Sequence, residues 1–285
     1  MTGGIRAPTD GDAAVVARLM SQDAPEPVDE AKVLLEWTFP GVQLEKDARV
    51  GDGSYAFVDG FGDGRVWIDV AGRPTPELLD WAEARARELG SRFFAGGWTS
   101  QDAVLAELQR RGFRLTRTSF RMAIDLDEPT PDPDWPAGIE PRAFRPGDEQ
   151  VFYELHQETF ADTWEPIEES YSEWAHQFLV PEVLVPELWT LATADDGSAG
   201  FALCHPHAVD TDLGWVRVLG VRRSSRGRGL GRALLLRAFA QFRHRGMQRV
   251  GLGVDGESPT GANALYESVG MRVVSQFAIH EKAVA

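Results

Sequence analysis

Apolar and polar residues alternate along the second half of the chain with two different periods. From position 230 to 242 an apolar side chain recurs at every fourth residue, which is one stripe of an amphipathic helix. Short apolar runs bounded by glycine or polar residues predict strands. The pattern predicts strands at 139–143, 189–194, 199–204, 214–221, 249–254 and 272–281, and helices at 147–160, 169–179, 230–244 and 262–269. Strands that alternate with helices predict an α/β fold with the sheet in the middle layer.

A proline-rich segment divides the chain. Residues 127–136 read DEPTPDPDWP, and four prolines in ten residues exclude a continuous helix or a central strand. We therefore expect two domains, at 1–128 and 137–285, joined by a linker at 129–136.

The two halves resemble each other weakly in sequence. The segment GIRAPTDGDAAVVARL at 4–19 and the segment GIEPRAFRPGDEQVFYEL at 138–155 each predict a short strand, a Gly-Asp pair and an amphipathic helix. The segments at 105–124 and 264–279 each predict a short helix that is stopped by a glycine and followed by an alternating strand. A repeat this long indicates two similar domains and not a solenoid.

Charge is distributed unevenly along the chain. The formal net charge is -15 over 285 residues, yet the window 213–254 contains ten arginines and no aspartate or glutamate. The overall acidity argues against a general nucleic-acid-binding protein. A local positive field selects a ligand of opposite charge, so we expect an anionic group to bind in this window.

Composition also predicts the compartment. The single cysteine, Cys204, excludes an intrachain disulfide and is typical of a reducing compartment. The first residues lack the apolar core of a signal peptide, and no apolar run is long enough to span a bilayer. We expect a cytoplasmic protein that binds neither membranes nor nucleic acid.

The stretch RRSSRGRGLG at 222–231 lies between a predicted strand and a predicted helix. The first turn of a helix leaves backbone N–H groups unpaired, and glycines let an anion approach them. The pattern lacks the sixth-position glycine of a dinucleotide fingerprint and the lysine of a P-loop. It has the form R-x-x-G-x-G. The alternative is an ordinary turn whose glycines relieve packing and whose arginines are solvated.

With this loop, the chain resembles the GNAT family of acyl-CoA-dependent N-acetyltransferases. The resemblance implies two tandem GNAT-like domains, each with a mixed, mostly antiparallel central sheet flanked by helices. It implies that the loop binds the pyrophosphate of acetyl-CoA and that the preceding strand aligns the pantetheine arm through its backbone. The residues implied are Leu219, Val221, Arg226, Gly227, Arg228, Gly229, Leu230, Gly231 and Arg232.

The segment GVDGESPTGANALYESVGM supports the same family. The resemblance implies that Asn263 contacts the cofactor arm and that Tyr266 is the general acid that protonates the departing thiolate. The two are three residues apart and share a helix face. A phenol and a thiol have similar proton affinities, so the transfer is close to balanced. The alternative for Tyr266 is a core aromatic residue.

The general base stays open at this point. Many relatives carry an acid on the strand before the loop, but GWVRVLGV has none. The candidates are a chain of water molecules, Asp210, Asp212, His205 and His207. The two histidines, with Cys204, could also suggest a metal site. This indication is weak, because neighbouring positions of a strand point to opposite faces, so Cys204 points away from His205. We therefore expect no metal.

The acceptor is expected near the first two helices of the second half. Trp164, Tyr171 and Trp174 are candidates for an apolar wall, and Glu165 is a candidate for attracting a cationic amine. A helix pair with core aromatics and a solvated acidic face is the alternative. Candidate acceptors are an aminosugar, an amino-acid conjugate or a precursor of mycothiol.

The first half lacks the loop. Its matching segment, RVWIDVAGRPTPELLDWAEARAREL, has prolines where glycines are needed and acids in the first helical turn. Leu108 falls near the position of Tyr266. We therefore expect a degenerate first domain and an acetyl-CoA-dependent N-acetyltransferase in the second, acting on a small-molecule amine by direct transfer. A non-catalytic CoA-binding sensor or scaffold is the alternative.

Overall fold

The computed structural model describes residues 4–25, 27–128, 130–166, 168–181, 183–195, 197–208, 210 and 212–284. They form two compact units, one of residues up to 119 together with those from 275 onward, and one of residues 120–274. These bounds differ from the predicted domains because the end of the last strand completes the sheet of the first unit.

The first part of the chain supplies five strands and five α-helices among its described residues. The strands are β1 (Ala48–Gly51), β2 (Ser54–Gly60), β3 (Arg65–Gly72), β4 (Arg92–Trp98) and β5 (Arg114–Asp125). The helices are α1 (Ala13–Ser21), α2 (Glu30–Trp37), α3 (Leu44–Asp47), α4 (Pro76–Leu89) and α5 (Asp102–Arg110).

The second part supplies the remaining described elements. The strands are β6 (Glu140–Ala143), β7 (Thr190–Ala194), β8 (Gly197–Pro206), β9 (Leu213–Val221), β10 (Arg249–Asp255) and β11 (Arg272–Ala283). The helices are α6 (Glu149–Phe160), α7 (Tyr171–Phe178), α8 (Leu230–His244) and α9 (Ala262–Ser268). Each predicted strand and helix of this half is present, with bounds that shift by at most a few residues.

Each unit has a mixed sheet in which antiparallel pairs predominate, as predicted. In the first unit, β1, β2 and β3 are antiparallel neighbours, β4 runs parallel to β3, and the end of β11 runs antiparallel to β4. In the second unit, β6, β7, β8 and β9 are successive antiparallel neighbours, and β10 runs parallel to β9.

Helices cover both faces of the second unit's sheet. On one face, α8 buries Leu234, Phe239 and Phe242 against the strands. On the other face, α6 and α7 bury a cluster of large aromatic side chains that includes Phe152 and Trp174. Among the described residues, no helix is both long and apolar enough to cross a membrane.

The two units repeat the same local chemistry at their starts. In the first unit, Arg6 donates two hydrogen bonds to the carboxylate of Asp12, at 2.7 and 2.8 Å. In the second unit, Arg142 donates two to Asp148, at 2.6 and 2.8 Å. Both pairs join the first strand segment to the start of the following helix at a spacing of six residues. The two segments that resemble each other in sequence therefore form the same local structure.

Candidate functional site

The parallel strands β9 and β10 part midway along their length. Their pairing runs from Leu213 opposite Arg249 to Val216 opposite Leu252 and ends there, although β9 continues to Val221 and β10 to Asp255. Beyond this point the backbone of β9 pairs with β8 on its other side only, among the pairings described. The parting leaves an edge of β9 available to hydrogen-bond a ligand.

A β-bulge lies at the point where the strands part. Leu203 of β8 pairs with Val218 and the next residue, Cys204, pairs with Val216, so Arg217 is an extra residue in β9. A bulge bends its strand and increases the local twist. The strand end that follows, which contains Leu219 and Val221, is thereby directed away from β10.

The arginine–glycine loop turns from β9 into α8 through two residues in the left-handed backbone region. Gly227 has φ +73° and Gly229 has φ +87°, and a Cβ added at either position would meet no atom within 4 Å. Gly229 is the N-cap of α8, and no side chain caps the helix there. The N–H groups of the first turn, which begins at Leu230, are therefore accessible to an anion.

Gly231 has a different role from the other two glycines. A Cβ at this position would lie 2.9 Å from the side chain of Leu265, so its absence lets the start of α8 approach α9. The two helices that carry the loop and the candidate general acid are held together at this contact.

The fold brings acids to a loop whose sequence window has none. Arg222 donates to Glu158 of α6 at 2.8 Å. Arg223 donates to both carboxylate oxygens of Asp162, just after α6, at 2.6 and 2.7 Å, and this pairing lowers the pKa of the Asp162 carboxyl. No sequence pattern indicates these pairs, because the partners are 64 and 61 residues apart in the chain.

The remaining arginines of the loop are used differently. Arg226 donates through Nε to the carbonyl of Val221 at 3.1 Å and lies 3.5 Å from Asp162. Arg228 donates to a backbone carbonyl just before β6 at 3.0 Å. In the described part of the chain, neither Arg228 nor Arg232 forms an ion pair, so their charge is not offset by a carboxylate.

Asn263 links α9 to the end of β10. Its side-chain amide donates to the carbonyls of Asp255 and Gly256 at 3.1 and 3.0 Å. Its Oδ1 atom is buried and has no hydrogen-bond partner within the described residues. A buried acceptor without a donor is costly, so this oxygen is suited to a ligand N–H group.

Tyr266 lies one turn further along α9 and is 8% exposed. Burial raises the pKa of its phenol to about 12, so the hydroxyl keeps its proton through the neutral range. A protonated hydroxyl on α9, the helix that packs against β10, is suited to donate a proton to a leaving group.

Comparison with known proteins gives one family. The model of the acetyltransferase (GNAT) family matches residues 150–271. A mycothiol acetyltransferase of Thermobispora bispora is 34% identical over 224 residues, which are 73% of this chain and 75% of the relative. The mycothiol acetyltransferase of Geodermatophilus obscurus is 30% identical and covers 91% of this chain and 90% of its own.

The chain belongs to the GNAT family. Among solved structures, a GCN5-related N-acetyltransferase from Sphaerobacter thermophilus has a TM-score of 0.78 at 31% identity, over 99% of this chain and 95% of its own. A tandem GNAT protein from the clavulanic acid biosynthesis pathway has a TM-score of 0.71 at 16% identity, over 98% of this chain and 96% of its own, which shows a shared fold. The tandem GNAT architecture is thus confirmed.

Among the predicted base candidates, His205 has the features of a neutral proton acceptor. His205 of β8 pairs with Trp215, beside the bulge, and burial lowers the pKa of its imidazole to about 4. Its Nδ1 lies 2.8 Å from the carbonyl of Pro206, and its Nε2 is buried without a described partner. The imidazole is therefore neutral, with its free lone pair on Nε2.

Two of the other base candidates, Asp210 and His207, have partners of their own. The carboxylate of Asp210 pairs with Arg249. His207 accepts the backbone N–H of Asp210 through Nδ1 at 3.1 Å. Cys204 is fully buried on the α8 face of the sheet, and the described residues contain no group of three or more metal-ligating side chains.

The predicted acceptor residues occupy different environments. Trp174 is fully buried in the aromatic core of the α6–α7 face, so it presents no surface to a ligand in this structure. Tyr171 is 39% exposed, and Trp164 and Glu165 are half-buried. The role of these four residues in acceptor binding stays a prediction.

The first GNAT unit differs from the second at the positions that correspond to the candidate site. Thr75 caps α4 by accepting the N–H of Leu78 at 3.4 Å, where α8 has a bare glycine. The carbonyl of Leu108 accepts the N–H that follows the glycine ending α5, and the carbonyl of Tyr266 does the same after α9. Leu108 is thus the structural counterpart of Tyr266 and cannot donate a proton.

Replacing Asn263 by alanine tests its place at the end of β10. We expect the second unit to lose about 1–3 kcal/mol of unfolding free energy, because two carbonyls lose their donors. Urea unfolding measures the change, and Ser268→Ala on the exposed side of α9 is the control. An Asn263→Ala protein as stable as the control would contradict the assignment.

Proposed function

We propose that the second unit binds acetyl-CoA and transfers its acetyl group to the primary amine of a small molecule. The observation that carries the proposal is the parting of β9 from β10, with the uncapped N-terminus of α8 after β9 and the largely buried side chain of Tyr266 on α9, the helix that packs against β10. The GNAT family uses acetyl-CoA as its donor, and each feature suits one part of that molecule.

The donor residues follow from this arrangement. The N–H groups at the start of α8, with Arg228 and Arg232, hold the pyrophosphate, which Gly227 and Gly229 leave room for. The backbone of β9 at Leu219 and Val221 pairs with the amides of the pantetheine arm. The unpartnered Oδ1 of Asn263 accepts from the same arm.

Direct transfer is favoured over a covalent acyl-enzyme. Cys204 is the single cysteine of the chain, it is fully buried, and burial raises the pKa of its thiol far above its ordinary value. In the direct route the neutral amine attacks the thioester carbon, and the carbon–sulfur bond breaks. Tyr266 gives its proton to the departing thiolate, and the amine gives up its own proton to a base.

The identity of the base and the acceptor belongs to the same proposal. The neutral Nε2 of His205, directed to the α6–α7 face, is the first candidate to take the proton of the amine. The cysteinyl amine of a mycothiol precursor is the first acceptor to test, because similar curated relatives are named mycothiol acetyltransferases. The same relatives favour a catalytic unit over a non-catalytic CoA-binding scaffold.

Tyr266→Phe tests the general acid. We expect kcat to fall by about 10²-fold with little change in CoA affinity, because the ring keeps its packing and loses only its proton. Steady-state kinetics with a panel of amines that includes the mycothiol precursor measures the change. Tyr55→Phe, which removes a tyrosine hydroxyl from the first unit, is the matched control. Equal turnover in the two variants would remove Tyr266 from the mechanism.

The pH dependence of the wild-type enzyme provides a second test. We expect kcat/KM to rise as the acceptor amine loses its proton and then to stay level to about pH 10, because the raised pKa of Tyr266 keeps its hydroxyl protonated over this range. Initial rates between pH 6 and pH 10 measure the profile. A descending limb centred near pH 8 or 9 would show that the general acid is another group.

A further inference from the structure

Three aromatic rings lie side by side on one face of the first unit's sheet. Trp67 of β3 stacks with Phe94 of β4 and with Phe277 of β11, with ring centroids 6.4 Å apart in both pairs and interplanar angles of 12° and 22°. Trp98 meets the ring of Phe277 edge-on at 5.1 Å. Trp67, Trp98 and Phe277 each keep part of their surface exposed. This is a solvent-accessible aromatic surface and not a sealed core.

A carboxylate lies at the edge of this surface. Asp69 is two residues beyond Trp67 on β3, on the same face, and its Oδ1 accepts the indole N–H of Trp67 at 2.8 Å. Burial raises the pKa of the Asp69 carboxyl to about 6, yet the residue keeps part of its surface exposed. Asp69 is therefore a partly buried acid that adjoins the aromatic surface.

The charges around Asp69 leave its own charge without a cationic partner. Among the described residues no arginine or lysine forms an ion pair with it. Glu36 of α2 raises the pKa of Asp69 further, and Lys32 of the same helix lowers it by a smaller amount. On β2, the hydroxyl of Tyr55 is buried and accepts the indole N–H of Trp37 at 2.7 Å. The guanidinium of Arg92 lies 5.2 Å over the ring of Phe94, but it is paired with Glu281 at 2.9 Å. At Asp69 itself the effect of Glu36 is larger than that of Lys32, so the field at this carboxylate is negative.

We propose that Trp67, Asp69, Trp98 and Phe277 form a binding site in the first unit for a small organic cation with an apolar body. The rings supply cation–π and stacking contacts, and the carboxylate supplies the counter-charge. A cation relieves the repulsion between Asp69 and Glu36, whereas an anion increases it. A neutral apolar molecule leaves the Asp69 carboxylate unpaired.

This site is separate from the proposed acetyl-transfer site. Its residues all belong to the first unit, and none of them contributes to the arginine–glycine loop or to α9. The first unit therefore has a ligand-binding role of its own although it lacks the counterparts of Gly229 and Tyr266. The inference does not depend on catalysis in the second unit.

Calorimetric titration of the full chain with two probes tests the proposal. Benzyltrimethylammonium has a fixed positive charge, and benzyl alcohol is a neutral molecule with the same ring. We expect saturable binding of the cation at pH 8, at least tenfold tighter than that of the alcohol. Asp69→Asn is expected to abolish this preference. Asp52→Asn, which removes the same charge from the exposed β1–β2 turn, is the control and is expected to keep it.

The pH dependence of the wild-type protein tests the same site without a mutation. Since the probe cannot lose its charge, its affinity is expected to fall as the pH drops from 8 to 5 and the Asp69 carboxyl becomes protonated. Circular dichroism and the melting temperature verify that each variant is folded. Absence of saturable binding, equal affinity for the two probes, or an unchanged preference in Asp69→Asn would overturn the proposal.

Discussion

The loss of pairing between two parallel strands is the constraint on which the second unit depends. A single extra residue at Arg217 ends the register of β9 with β10 while β8 continues to hold β9 in the sheet. The backbone groups released by this parting would be costly if they were buried without partners, and a ligand with amides at the right spacing satisfies them. The loop, the start of α8 and the face of α9 are all arranged around that gap.

The positive charge of the arginine–glycine loop is partly neutralised by acids that lie outside its sequence window and that the fold brings next to it. Two of its arginines are tied to acids after or on α6, so they fix the loop to the neighbouring helix. Among the described residues, Arg228 and Arg232 form no ion pair, which is why we propose them as partners of a phosphate. The first unit differs at the start of α4, where a threonine side chain caps the helix and a proline lacks an N–H group, so fewer N–H groups are free to bind an anion. The same position in the two units is thus an uncapped glycine in one and a capped helix start in the other.

Much of this could be predicted from the sequence, and the remainder required the fold. The period of apolar residues located α8 at its observed bounds. Of the two glycines in R-x-x-G-x-G, Gly229 has positive φ and Gly231 lies in the first turn of α8. No sequence pattern predicts the pairing of Arg223 with Asp162, because the two residues are far apart in the chain. Trp174 is fully buried, and the sequence could not distinguish a core position from a pocket wall, because an aromatic residue on an amphipathic helix has the same pattern in both. Nothing in the composition indicates that the end of β11 pairs with β4 and so belongs to the first unit.

The central claim is that one acetyl-CoA binds at the N-terminus of α8. Calorimetric titration of acetyl-CoA into the wild type, Gly229→Glu and Gly246→Glu measures this directly. Both glycines have positive φ and open space around an added Cβ, but they lie at opposite ends of α8. The account predicts one equivalent for the wild type, the same for Gly246→Glu, and loss of binding in Gly229→Glu, where a carboxylate meets the phosphate. Equal binding by the two variants, or two equivalents in the wild type, would contradict it.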